Sequence, residues 1–151
     1  MEEKKLIKYS LKAIEDIKFN FQQPKIPVKE GELVKVNYTI TPNVKFSVKE
    51  SIILVRINVI GTVSNTNETV LDTENLFVFG IENLNEYLET NEKSKEYKFK
   101  NPNDEGILIT FVSISTSTMR GIIFSKTTGT LLQINPLPIV NPSGFFKKKS
   151  D

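Results

Sequence analysis

Two adjoining stretches decide the fold: GILITFVSISTSTMRGIIFSK (Gly106–Lys126) and TGTLLQINPLPIVNPSGFF (Thr128–Phe146). The first carries no charge before Lys126 except Arg120. Its β-branched content favours strand. Its length exceeds an ordinary strand, however, and Leu108, Val112, Ser115, Met119, Ile122 and Ile123 recur at helical spacings of three and four. Asn103 or Asp104 stands where a cap belongs, Glu105 lies near the positive end of the dipole, and Gly129 supplies a stop. The run is therefore read as a long helix. Pro136, Pro138 and Pro142 then confine any further helix to the last few residues of the second stretch.

Everything upstream reads as antiparallel strand. Ile7, Tyr9 and Leu11 alternate with polar residues, and Ile17, Phe19 and Phe21 resume the alternation after a phase break near Ala13 and Ile14. A slip of phase inside one strand predicts a bulge. Gln22 to Glu30, with Pro24 and Pro27, reads as a crossover loop. Val34, Val36, Tyr38 and Ile40 share one face; Val44, Phe46 and Val48 keep that parity beyond Pro42, so the strand is expected to bend and continue. Ser51 to Val63 is apolar on both faces, the mark of a central strand. After a turn at Ser64 to Asn67, Leu71, Phe77, Phe79 and Ile81 complete a meander. Glu82 to Asn103 is polar, with a short helix expected at Leu84 to Leu88 and exposed loop beyond it. The fold class is thus α+β: a four-stranded antiparallel sheet, with a crossover between strands 1 and 2, followed by a long C-terminal helix packed on it. One domain is expected over 1–146, with 147–151 a disordered basic tail.

Composition removes whole classes of chemistry. The 151 residues contain no histidine and no cysteine. Triads and dyads built on an imidazole or thiolate are excluded, as are ordinary zinc, copper and haem sites. No disulfide framework is possible, which fits a cytoplasmic protein. The start, MEEKKLIK, has no apolar core, so neither a signal peptide nor membrane insertion is expected. The sequons at Asn37 and Asn67 are read as chance matches. Net charge is +2, and most lysines alternate with apolar residues along strands, as on any solvated face. Lys147, Lys148 and Lys149 form the one dense cluster.

No phosphate loop, dinucleotide fingerprint or calcium loop is present, and no carboxylate pair stands out. The helix carries Ser113, Ser115, Thr116, Ser117, Thr118 and Gly121, but no general base lies at a useful spacing. Close approach of helix to helix or sheet explains these small residues better than a nucleophile does. Arg120, amid apolar neighbours, is read as a buried or interfacial hydrogen-bonded cation. Lys18-Phe19, Lys45-Phe46 and Tyr97-Lys98-Phe99-Lys100 interleave cations with aromatics, as single-strand nucleic-acid binders do. An amphipathic strand gives the same pattern, so nucleic acid is the disfavoured partner.

The order of elements, with four motifs, resembles the SecB-type export chaperones. These motifs are Asp16-Ile17-Lys18-Phe19, Leu76-Phe77-Val78-Phe79-Gly80-Ile81, Ser117-Thr118-Met119-Arg120-Gly121-Ile122-Ile123 and Gly129 to Ile139. The resemblance spans nearly the whole chain and implies a divergent SecB-like protein rather than an enzyme. It implies a homotetramer, a dimer of dimers, that holds unfolded polypeptides before export with no nucleotide, metal or other cofactor. The client-binding residues expected on it are Phe19, Phe21, Ile26, Val28, Leu137, Phe145 and Phe146; an oligomer interface is expected at Ser117, Met119, Gly121 and Ile122. Two features depart from the family: the balance is mildly basic rather than acidic, and prolines stand where the second helix usually lies. Docking to the translocation motor is not expected on these grounds. A chaperone dedicated to the antitoxin of a toxin–antitoxin pair is the alternative reading, and a single-stranded nucleic-acid-binding β domain the alternative of another class.

Overall fold

The computed structural model describes residues 6–25 and 34–146. Four long strands, β1 (Tyr9–Phe21), β2 (Val36–Ser47), β3 (Ile52–Val63) and β4 (Thr69–Ile81), form one antiparallel sheet in the order β1-β4-β3-β2. β2, β3 and β4 are the expected meander, and β1 closes the far side, so the chain crosses from one sheet edge to the other between β1 and β2. Ile26 and Val28, in that crossing, lie outside the described residues.

Alternation sets what is buried. On β3, Ile53, Val55, Ile57 and Val59 are fully buried, while Ile52, Leu54 and Ile60 on the opposite face are only partly so. β4 buries Leu71, Thr73, Asn75, Phe77, Phe79 and Ile81 on the same side. Over this side lies α2 (Gly106–Lys126), which buries Leu108, Phe111, Val112, Ser115, Thr116, Met119 and Ile123. Those spacings of three and four confirm the helical reading of the ambiguous run. The hydroxyls of buried Ser115 and Thr116 donate to the carbonyls of Phe111 and Val112, at 2.7 and 2.9 Å, so they dock without an unsatisfied group. Met119 is wholly buried, which makes it a core residue of the single chain. Arg120 is exposed, and of the two expectations for it, buried or interfacial, this excludes burial within its own chain. It falls between the buried positions Met119 and Ile123, on the outward side of the turn.

β1 contains register shifts between Leu11 and Ala13 and between Asp16 and Lys18. The first is the expected bulge; the second, at Ile17, left no readable phase break. Together they keep Leu11, Ile14, Phe19 and Phe21 opposite the helix-side residues Phe79, Phe77, Thr73 and Leu71.

Proline does not interrupt β2. The Ser64 amide donates to the Lys35 carbonyl at 2.9 Å, so odd-numbered residues of this strand bond to β3 and even-numbered ones turn their backbone groups outward. Pro42, opposite Ile57, therefore removes a donor only from the free edge, which it blunts against further pairing. β1 has no proline along its outer edge.

Between β4 and α2 come the expected short helix, α1 (Leu84–Tyr87), and a small hairpin of β5 (Leu88–Thr90) and β6 (Tyr97–Phe99). The sequence reading had only loop there. Buried Leu88 pairs with buried Phe99, and these two apolar residues hold the hairpin against the core. Asn101, rather than Asn103 or Asp104, caps the turn into α2: its side chain accepts from the Asn103 amide at 3.0 Å, at the head of a 3₁₀ turn, Pro102–Glu105. Gly129, at φ 81°, makes the left-handed turn after the helix. A short 3₁₀ helix, Pro142–Phe146, is the only one in the tail among the described residues.

Candidate functional site

α2 touches β1 near both ends of the strand. At one end the Tyr9 ring meets Phe111 edge-on, centroids 5.0 Å apart. At the other, the Lys126 ammonium lies 4.8 Å from the Phe19 ring centroid and 3.5 Å from an oxygen of Asp16. The second Asp16 oxygen accepts from the amide of buried Asn75 at 2.6 Å, which anchors that carboxylate on the sheet. Along the same strand Tyr9, Leu11, Ile14 and Ile17 stay 41–44% exposed, and Phe124 on α2 is 47% exposed. An edge strand with free backbone groups and a row of half-exposed aliphatics is chemically suited to receive an extended polypeptide or another strand. Alternation along the strand does not by itself mark Leu11, Ile14 and Ile17 as exposed; their place on an outer strand does.

Phe19 and Phe21 are half-buried against the core and line a shallow recess of about 460 Å³ with Thr69, Val70, Leu71 and Asp72. On the rim Lys18 bonds to Asp72 at 2.9 Å, and this hydrogen bond holds the Asp72 carboxyl below its ordinary range against a smaller opposing effect of burial.

The tail supplies the other candidates. Leu137 is 2% exposed and, with Leu132, pins the tail into this chain's own core. It holds the tail in place and does not line an open surface. The half-buried Tyr38 hydroxyl donates to the Asn135 carbonyl, and its partial burial pushes that phenol up to about 12. Phe145 is half-buried against the core, Phe146 is 39% exposed, and Ile134 and Ile139 project almost fully, at 79% and 83%. These two isoleucines escaped the sequence reading. Leu132 and Leu137 thus anchor the tail while Ile134 and Ile139 are left in solvent.

On the outer side of α2, Ser117 and Gly121 are exposed and Ile122 partly so, a shallow strip well shaped for close approach by another helix. The segment Pro102–Lys126 is long and apolar enough by length and composition to cross a membrane, with mean hydropathy 1.6, and 39% of its most apolar window is buried in this fold. It is the core helix of the sheet. Among the described residues no cluster of three acidic side chains could hold a metal ion.

No family model matches the sequence, and no characterised protein matches it by sequence alone. Its fold does match a solved one. A SecB-like chaperone of Mycobacterium tuberculosis, in complex with a ChAD peptide from the HigA1 antitoxin, superposes with a TM-score of 0.56 at 14% identity, over 88% of this chain and 86% of that one. At that identity the likeness speaks for architecture alone: four antiparallel strands and a long helix in a SecB-like fold.

Proposed function

We propose that this chain is a SecB-like molecular chaperone that holds unfolded or partly folded polypeptides without ATP. The observation that carries the reading is the row of half-exposed aliphatics on an unblunted edge strand, within a SecB-like fold that covers most of the chain. A holding chaperone needs apolar surface that an extended chain can cover, and needs no reactive side chain. Tyr9, Leu11, Ile14 and Ile17, with Phe19, Phe21 and Phe146, form the proposed client surface. Ile26 and Val28 belong to the same proposal from sequence alone.

A homotetramer, built as a dimer of dimers in the cytoplasm, goes with this reading. Two features support self-association: the proline-free edge of β1, and the small-residue strip of Ser117 and Gly121 on an apolar helix. The narrower reading, a chaperone dedicated to an antitoxin, draws support from the solved relative in fold, which was captured with an antitoxin peptide. A general role in protein export through an acidic docking surface has less support from a chain of net charge +2.

The test is suppression of aggregation of a chemically unfolded client without nucleotide, alongside light-scattering mass. Suppression by a species of about four chains is expected; a monomer that leaves aggregation unchanged removes the proposal. For the narrower reading, co-expression with a toxin–antitoxin pair encoded beside this chain should raise the antitoxin's half-life. General suppression without that rise would leave the broader role alone.

A further inference from the structure

The sheet face turned away from α2 holds an apolar centre between charges of opposite sign. Register sets Leu54 of β3 beside Val78 of β4 and Ile52 beside Gly80; Leu76 follows Val78 on the same face of β4. Ile52, Leu54, Leu76 and Val78 are only partly buried, whereas their alternating neighbours Ile53, Val55, Phe77 and Phe79 are sealed beneath the helix. On the β2–β3 side stand Lys45, opposite Leu54, and Arg56, opposite Leu76. On the β1–β4 side stand Glu15, opposite Leu76, and Glu74, opposite Asn58. Glu74 borders the same shallow recess as Lys45 and Arg56. Even so, among the described residues none of these four charges has an ion pair or side-chain hydrogen bond within the chain. At the end of the face the signs reverse: Lys12 lies over Gly80 of β4, and Glu50 stands in the turn before β3, where both border a recess with Ile52. Cations and carboxylates around the centre thus balance, and a peptide of uniform charge meets repulsion as well as attraction.

We infer that this face binds the same face of a second copy of the chain, sheet on sheet, about a two-fold axis running along the strands between β3 and β4. That axis exchanges the two sides of the face. It lays β4 of one copy over β3 of the other, so Leu54 meets Val78 and Ile52 meets Gly80, each twice. It also lays β1 of one copy over β2 of the other, which brings Glu15 to Lys45, Glu74 to Arg56 and Lys12 to Glu50. Within one copy Glu15 and Lys45 lie on opposite edge strands, too far apart to pair. Facing sheets stack about 10 Å apart with their strands nearly aligned, a gap that Lys, Arg and Glu side chains bridge. A two-fold axis across the strands would instead stack β2 on β2 and β4 on β4, cation on cation and carboxylate on carboxylate. The charge pattern therefore selects the first arrangement, and complementary charge fixes register between partners more than raw affinity. The contact uses neither the edge of β1 nor the outer strip of α2, so it stands or falls separately from the proposed function.

The test is sedimentation velocity of the full chain over a concentration series, with two charge-reversed variants. K45E/R56E makes both sides of the face acidic, and E15K/E74K makes both basic. Each variant alone should raise the dissociation constant of self-association at least about tenfold, because every reversed charge acts twice across the axis. An equal mixture of the two should associate again, since each acidic face then meets a basic one. If a double variant does not fold, the single changes K45E and E15K, both at exposed positions, carry the same test. Self-association unchanged in both variants, a loss in both with no recovery on mixing, or a parent chain that stays monomeric at every concentration would each overturn the inference.

Discussion

Phe111 of α2 stacks flat on Phe79 of β4, with ring centroids 4.1 Å apart and planes within 5°, and neither ring is exposed. This pair fixes the first half of the helix to the end of β4, an inner strand of the sheet. Phe111→Ala should destabilise the protein by about 3–5 kcal/mol through lost burial and the cavity left behind. A double-mutant cycle with Phe79→Ala should return a coupling of about 0.5–1.5 kcal/mol. Urea unfolding followed by circular dichroism measures both.

Tyr38 gives the protein an alkaline weakness. Its phenol is raised to about 12 in the folded chain by burial. A folded-state value above the unfolded one of about 10 means that the unfolded chain releases the proton first. The stabilisation is therefore complete below about pH 10 and is lost as pH rises from there through about 12. Tyr38→Phe should cost about 0.5–1.5 kcal/mol at neutral pH, the worth of the bond to Asn135. It should also flatten the stability loss between about pH 10 and 12, the window those two values bracket, relative to the parent. Protease cutting near Asn135 should quicken in the variant.

Asp72 acts on the acid side. The Lys18 hydrogen bond lowers its carboxyl, so its contribution is present above the ordinary carboxylate value and is lost as pH falls through the depressed one. Asp72→Asn should remove that part of the acid slope in urea unfolding. High salt should shrink the difference, because both side chains still reach solvent.

Leu11→Glu with Ile14→Glu tests the edge strand. Both positions are about two-fifths exposed, so the monomer fold should persist by circular dichroism. Aggregation suppression should weaken roughly tenfold, the scale of losing about 1–2 kcal/mol of interface contacts. Unchanged suppression would place the client elsewhere on the molecule.

Ile139→Ser with Phe146→Ser tests the tail. Because Ile139 is 83% and Phe146 39% exposed, stability should change by less than about 0.5 kcal/mol. A fall in client holding at constant stability would assign the tail to the client surface; no fall would limit it to Leu132 and Leu137, which pin it in place.

Local pattern carried most of the architecture. The two-sided apolar run from Ile52 to Val63 identified an inner strand, although only the face of Ile53, Val55, Ile57 and Val59 is sealed, beneath α2. Pro42 was compatible with a continuous β2 because its missing donor falls on the free edge. The second bulge, at Ile17, stayed invisible because Asp16 to Phe19 reads as an unbroken alternation either way. The β5–β6 hairpin stayed hidden as well, since three-residue strands fall below any period that a sequence displays.

Element order, the helical nature of Gly106–Lys126, the absence of imidazole and thiol chemistry, and the turn at Gly129 are all legible in residue order and type. Each follows from spacing or residue type within a few turns of chain. Tertiary structure alone decided which apolar residues are spent on the chain's own core and which remain for a partner. Leu137 and Ile139 lie two residues apart with similar hydrophobicity, yet one is 2% exposed and the other 83%. Leu11 and Phe79 face each other across a strand pair, yet only Phe79 lies beneath the helix. Burial depends on what the fold brings above a side chain from distant sequence, and hydropathy at the position itself does not encode it.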